Sequence, residues 1–313
     1  MAKTALTPML NGLRNQDPRA IGRAISLVED NAPEADIILS SLDEDLVNEA
    51  TVLGITGPPG AGKSTLTSQI ISTCRARDER IGIIAIDPTS PLSGGAILGD
   101  RVRMMRHSLD RDVIVRSMAT RGRLGGLCGA AGAAVRIMAS SGCKRIIIET
   151  VGVGQSEMDI IRLADITALV MAPGLGDDIQ AMKAGLLEVA DVLVINKGDM
   201  NGAEALFMDM EAVARERKEQ YSRVIAVCRT VAREGTGVEE LLNEIATIEN
   251  QYRASGEHGR RRNQSYDLEV LDWAIEMIRP QILQTIKKDS KKRWGDPKIQ
   301  AKNILKTMGL DYD

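Results

Sequence analysis

Gly57-Pro-Pro-Gly-Ala-Gly-Lys-Ser64, preceded by Thr51-Val-Leu-Gly-Ile-Thr56, decides how this chain folds. The eight residues Gly57, Pro58, Pro59, Gly60, Ala61, Gly62, Lys63 and Ser64 fit the phosphate-loop pattern G-x-x-x-x-G-K-[ST] at every fixed position. The apolar run before them reads as a buried strand. Leu66, Ile70, Ile71 and Cys74 after them recur at the spacing of one helix face, which puts Thr65 in the first helical turn. Strand, glycine loop and helix start together aim backbone N–H groups and the positive helix end at a polyphosphate. In that setting Lys63 is expected to neutralise the outer phosphates, and the Ser64 hydroxyl to ligate Mg²⁺. A glycine turn ending in Lys-Ser by chance would lack the flanking strand and helix.

Outward from this loop, apolar strands alternate with helical segments. Strands are expected at 51–56, 81–86, 113–116, 145–149, 167–172, 190–195 and 223–228. The alternation predicts an α/β fold of the P-loop NTPase type, a mostly parallel sheet flanked by helices, with the ligand beyond the carboxyl ends of the strands. Upstream, residues 8–45 read as helical, with Ile21, Ala24, Ile25 and Val28 as one apolar stripe and Ile37, Ile38, Leu39 and Leu42 as a second. The stretch 254–264 reads as a polar linker; its Arg260-Arg261-Arg262 run could touch phosphates, but a solvated charge run is the stronger reading. Leu268, Leu271, Ile275, Ile278, Ile282 and Ile286 then form a helical stripe, with a kink expected at Pro280. The stripe packs on its own chain or pairs with a second copy. The expected division is 1–47 as a helical N-terminal extension, 48–253 as the nucleotide domain and 254–313 as linker and helical arm.

Two more segments bear on the ligand. Asn196-Lys197-Gly198-Asp199 follows an apolar strand and has the form N-K-x-D. The Asp199 carboxylate can accept hydrogen bonds from guanine N1–H and the 2-amino group, whereas adenine would leave it unpaired. Asn196 and the Lys197 stem would support the base and the loop. Glu149 closes the strand Arg145-Ile-Ile-Ile-Glu149, placed to hold a Mg²⁺ shell, with Gly152 three residues on for the γ-phosphate. The spacing is E-x-x-G where GTPases ordinarily carry D-x-x-G. Asp87 likewise ends a strand and faces the ligand crevice, unless it only caps a turn. Asp100 lies in a glycine-rich loop and by itself is a weak candidate. Val153 occupies the position where Ras-type proteins carry the glutamine that orients water, so slow unaided hydrolysis is expected.

Composition closes off other classes. The net charge is −3 and aromatic residues make up 2 %, too few for base-stacking platforms, so no nucleic-acid partner is expected. No apolar run approaches a membrane span and no signal peptide is evident. The four cysteines contain no C-x-x-C pair and read as reduced, mostly buried thiols of a cytoplasmic protein. His107 and His258 are far apart and form no metal cluster; each reads as a surface or packing residue.

Beyond these motifs the chain contains IDPTSPLSGGAILGDRVRM (86–104), RSMATRGRLGGL (116–127), ETVGVGQSE (149–157), APGLGDDIQAMKAG (172–185) and NKGD (196–199). In this combination and order they resemble the P-loop GTPases of the MeaB/ArgK type over most of residues 10–285. The resemblance implies a cytoplasmic, homodimeric GTPase that binds GTP/GDP with Mg²⁺, gates cobalamin loading and guards a coenzyme B12-dependent acyl-CoA mutase such as methylmalonyl-CoA mutase. It implies that Lys63, Asp87, Asp100 and Glu149 surround Mg²⁺ and the phosphates with Ser64 as ligand. It also implies that Asp177, Asp178, Gln180 and Lys183 lie in a switch loop that senses the mutase, and that the 268–286 stripe serves dimerisation. The guanine-contacting segment, usually Ser-Ala, is here Thr230-Val231-Ala232, with the O6 contact expected from the N–H near Ala232. The end, from Lys287 onward, departs from the family pattern. A metal-insertion GTPase would carry His- or Cys-rich tracts, which this sequence lacks. A phosphotransferase linked to basic amino-acid transport would need an acceptor pocket. A binding module without turnover would not need Lys63, Ser64 and the acidic set.

Overall fold

A computed structural model describes residues 2–87, 107, 109–119, 128–150, 156–175, 185–221, 224–288 and 296–309. Seven strands form one sheet: β1 (Thr51–Thr56), β2 (Ile81–Asp87), β3 (Val113–Ala119), β4 (Arg145–Thr150), β5 (Ile166–Met171), β6 (Val192–Ile195) and β7 (Ala226–Arg229). Their order is β3-β2-β4-β1-β5-β6-β7, and every neighbouring pair is parallel. The expected strands are all present: 51–56 matches at both ends, and the others differ by one to three residues at one or both ends.

Parallel strands covered on both faces need apolar side chains on both, and β1 is buried along its whole length. Val52 faces one cluster and Leu53 and Ile55 the other. On the Leu53 side lie α5 (Lys63–Ala76) and α10 (Val238–Ser255). On the Val52 side lie α6 (Cys128–Ser140) and α7 (Ser156–Leu163). Gly54 lets α7 sit directly on β1, because a Cβ there would lie 2.5 Å from Ile160 Cγ2.

The N-terminal helices form an outer layer over α6. They are α1 (Ala2–Arg14), α2 (Pro18–Glu29), α3 (Ala35–Leu39) and α4 (Glu44–Glu49). The expected stripe Ile21, Ala24, Ile25 and Val28 is buried in the same cluster as Ile84, Ile146 and Ile148 of the sheet. Of the second stripe, Ile38 is fully buried, and the helix carrying it is short. Asp17 and Asp43 accept backbone N–H groups two and three residues ahead and so start α2 and α4, whereas no side chain caps α3. Toward the β7 edge lie α8 (Leu186–Val189) and α9 (Ala203–Tyr221).

The linker reading of 254–264 does not hold. After a single left-handed turn at Gly256, the chain enters α11 (Glu257–Lys288), which runs on through Pro280. The arginine run is therefore helical, and its second and third members turn mostly inward, to buried carboxylates. Arg261 forms two hydrogen bonds of 2.9 Å to the fully buried Asp191. Arg262 grips Asp165 at 2.9 and 2.8 Å and donates to the carbonyls of Val47 and Ala50. Only Arg260, paired with Glu257, remains on the surface. In the 268–286 stripe, Leu271 and Ile275 stay exposed at 54 % and 55 %. Helix α12 (Pro297–Thr307) ends the described chain and buries Ile304.

Candidate nucleotide site

The loop 57–62 leaves the end of β1 and enters α5 with glycines where other residues do not fit. Gly57 has φ 142°, and a Cβ there would lie 2.1 Å from the Val170 carbonyl oxygen. Gly62, the residue before α5, has φ 93°, and its Cβ would lie 2.3 Å from Asn196 Nδ2. No side chain caps the start of α5, where Ser, Thr, Asp or Asn ordinarily accepts the first N–H groups. The helix end thus keeps the character of an anion cradle.

Lys63 is buried, and its ammonium donates to the carbonyls of Gly57 at 2.7 Å and Pro58 at 3.1 Å. The side chain therefore lies along its own loop. One residue on, the Ser64 hydroxyl donates to Glu149 Oε1 at 2.6 Å. Glu149 sits at the carboxyl end of β4, in register with Ile55 of β1 and Ala85 of β2, and is 4 % exposed. Asp87 ends β2, so its backbone lies at the same sheet edge. Among the described residues no group of three or more His, Cys, Asp or Glu side chains is arranged to hold a metal ion. Asp100, Gly152, Asp177, Asp178, Gln180 and Lys183 lie outside the described residues.

Asn196 ties the loop to the other half of the site. Its Nδ2 donates to the Ala61 carbonyl at 2.9 Å, and its Oδ1 accepts from Thr230 Oγ1 at 3.2 Å and the Ala232 N–H at 3.1 Å. The Ala232 N–H expected to face guanine O6 is thus engaged by Asn196. Lys197, in the left-handed region at φ 55°, turns the chain so that Asp199 is exposed at the rim. Gly62, Thr65, Asn196, Lys197, Asp199, Val231, Ala232 and Arg233 line one cavity of about 90 Å³. A larger cavity of about 260 Å³ opens beside Arg262 and Glu269, at the opposite sheet edge, and is unconnected to this chemistry.

Sequence reasoning named Thr230 only as part of the guanine-contacting segment, whereas its hydroxyl and carbonyl both hold the Asn196–Asp199 loop, and it missed Arg229. The apolar strand before each offered the one available signal, since residues at parallel strand ends face the ligand crevice. The histidines are elsewhere. His258 is buried 3.5 Å from Asp165, and His107 Nε2 lies 3.3 Å from Ser68 Oγ. Cys74, Cys143 and Cys228 are free and buried. Burial pushes their thiols up to about 11, 12 and 12, so all three are protonated at neutral pH.

A parallel sheet with a phosphate loop after β1, an acid closing β4 and N-K-x-D after β6 defines a P-loop GTPase. Residues 21–291 match the family model for methylmalonyl Co-A mutase-associated GTPase MeaB, and the chain belongs to that family. It is 43 % identical over 265 residues to a putative GTPase of Pyrococcus horikoshii, covering 84 % of this chain and 83 % of that protein. GTPase ArgK of Escherichia coli is 31 % identical over 290 residues, 90 % of this chain and 86 % of its own length. A mitochondrial methylmalonic aciduria type A homolog of Mus musculus is 30 % identical over 313 aligned positions, 94 % of this chain and 74 % of its own. Among solved structures, a LAO/AO transport system kinase superposes with a TM-score of 0.68 over 99 % of each chain. At 22 % identity that likeness speaks for the fold alone. Among the described residues no helix is long and apolar enough to cross a membrane.

Proposed function

We propose that this GTPase gates cobalamin loading onto a coenzyme B12-dependent acyl-CoA mutase and protects that enzyme, acting as a cytoplasmic homodimer. The observation that carries the reading is family membership across residues 21–291. The gathering of Lys63, Ser64, Glu149 and the Asn196–Asp199 turn at one sheet edge supports it.

In this reading the N–H groups of Gly57, Pro59-Gly60-Ala61-Gly62 (Pro59 excepted) and the first turn with Thr65 cradle the phosphates of GTP. Lys63 swings from the Gly57 and Pro58 carbonyls onto them. The residues fit Mg²⁺: Ser64 Oγ and Glu149 Oε1 are hard oxygen donors 2.6 Å apart at the loop's edge. Asp87 and Asp100 would join them as ligands, and Mg²⁺ bound there would supply positive charge to the phosphate oxygens. Water attacks the γ-phosphate, and Lys63, the loop N–H groups and Gly152 meet the developing charge. With Val153 in place of a water-orienting glutamine, unaided turnover is slow, and the mutase raises it through the segment carrying Asp177, Asp178, Gln180 and Lys183. Asp199 reads guanine, flanked by Asn196, Lys197, Val231 and Ala232. A guanine O6 at Ala232 shares a donor that Asn196 already engages. Residues 48–253 form the GTPase unit, and 1–47 and 254–313 flank it.

The test is calorimetry followed by capture. The purified chain is titrated with GDP, GTP and ATP, then loaded with a non-hydrolysable GTP analogue and used as bait in its native cytosol. Guanine-selective binding and recovery of a B12-dependent acyl-CoA mutase are expected. Uptake of ATP with indifference to GDP and GTP overturns the nucleotide reading, and recovery of transporter components alone overturns the mutase reading.

A further inference from the structure

Arg229, the last residue of β7, belongs to none of the nucleotide motifs, yet it closes around the loop that carries Asp199. Its Nε donates to the Gly198 carbonyl at 3.1 Å, and its Nη2 donates to the same oxygen. Its Nη1 reaches Glu204 near the start of α9 at 2.7 Å. The backbone grips the same segment from the other side, with the Gly198 N–H donating to the Thr230 carbonyl at 2.9 Å. The fit leaves no room for a side chain at 198: a Cβ would lie 2.7 Å from Arg229 Cγ and 3.2 Å from the Thr230 oxygen. Lys197, immediately before, holds a left-handed φ of 55° that a lysine seldom adopts unaided.

The Gly198 oxygen and the Asp199 nitrogen belong to one rigid peptide plane. Holding that oxygen holds the plane and with it the Asp199 Cα, which lies in the plane, so the Asp199 side chain leaves the backbone from a held point. Asp199 lines the same cavity as Asn196 and Ala232 but is exposed, so packing does not orient its carboxylate. The Glu204 contact is too exposed, at 69 %, to do more than steady the guanidinium.

We propose that Arg229 is a positioning residue for base selection: by clamping the Gly198–Asp199 peptide it aims the Asp199 carboxylate at the N1–H and 2-amino group of guanine. This rests on the reading of Asn196-Lys197-Gly198-Asp199 as the base site. A ligand that lacks the 2-amino group separates aim from general stability. The full chain and its Arg229→Ala, Arg229→Lys and Asp199→Ala variants are titrated with GDP and with IDP, whose hypoxanthine has no 2-amino group. Thermal unfolding is followed in parallel.

The parent is expected to prefer GDP, and Asp199→Ala to abolish the preference. Arg229→Ala should shrink the GDP-over-IDP ratio by about tenfold, the weight of one misdirected charge-assisted hydrogen bond. Arg229→Lys keeps the stem and charge but replaces two converging donors by one ammonium, so its ratio should fall between the two. Should alanine prevent folding, the lysine variant decides. An unchanged ratio in the Arg229 variants, beside a lost preference in Asp199→Ala, overturns the clamp. An unchanged ratio in Asp199→Ala overturns the base-site reading itself.

Discussion

Lys63 lies along its own loop, bonded to two carbonyls that a phosphate would replace as its partner. Removing it takes away the charge that meets the γ-phosphate, and also leaves the Gly57 and Pro58 carbonyls short of a donor. Lys63→Ala should therefore lower GTP turnover by about two orders of magnitude or more in a phosphate-release assay, with a stability loss of only about 1 kcal/mol. His258 tests a different residue-scale balance. Burial lowers its pKa below 6.5, opposed by the Asp165 carboxylate and reinforced by Arg262 and Arg253, with Glu249 also opposing. The folded state thus resists protonating it, and the unfolded state binds more protons as pH falls through 6.5. Above that pH both states hold a neutral ring and the residue contributes no pH dependence. Below it stability should fall. His258→Gln should flatten the fall between about pH 7 and pH 5 in a series of denaturation midpoints. The phosphate loop was legible within eight contiguous residues because its fixed positions answer local demands of φ or charge. Arg229 was not, because its target, Gly198, lies 31 positions earlier.

At the scale of elements, the first turns of α11 are riveted to the amino ends of two adjacent strands. Asp165 and Asp191 directly precede β5 and β6 and accept from the backbone N–H groups of Val52 and Thr167, at 2.8 Å each. Arg262 and Arg261 then complete the two carboxylates from the helix. Burial works to lower the Arg261 pKa, but the hydrogen bonds and charge of Asp191 outweigh it and raise it, so the guanidinium stays charged. It also stacks 4.4 Å over the Tyr252 ring, whose hydroxyl donates to Asp191 at 2.6 Å. Glu257, held by Arg260 and Arg261 against the cost of its partial burial, is pushed down to about 2 and remains ionised over the working pH range. Arg261→Ala takes the two guanidinium hydrogen bonds of 2.9 Å away from the fully buried Asp191. Urea denaturation should report a loss of about 3 kcal/mol. Substituting the exposed Arg260 should cost well under 1 kcal/mol. The strands themselves were readable from apolar runs, since a parallel sheet buried on both faces demands them. The start of α11 was not: a polar, glycine-containing stretch reads as linker until its arginines have partners.

Across the whole molecule, the sheet separates two functions. Its carboxyl edge carries the phosphate loop, Glu149 and the base-side turns. Its amino edge carries the rivets of α11, which leaves Leu271, Ile275 and Ile286 of the expected stripe, close together on one helix face, more than 40 % exposed. A row of that kind on a long helix is the surface a second copy would cover. Under the homodimer proposal, the double substitution Leu271→Glu, Ile275→Glu should convert dimer to monomer in sedimentation velocity. Affinity for GDP should stay unchanged, because the row lies outside the nucleotide cavity. The helical stripe was visible in the sequence as a periodicity. Whether its own chain covered it was a question of where α11 lies, and spacing along one helix carries no information about that.

The sequence by itself determined the phosphate loop, the seven strands, the N-K-x-D turn and the apolar stripe of α2. Each is written in neighbouring residues, through glycine conformations, hydrophobic period and strand-end placement. Only the tertiary structure decided that Arg261 and Arg262 leave solvent for Asp191 and Asp165, that Arg229 locks onto Gly198, and that Asn196 joins the phosphate loop to the Thr230 turn. Those contacts span from 31 to 135 positions. A charged side chain gives up water only when a distant partner arrives with the right geometry, and that arrival is a property of the packed sheet rather than of any segment.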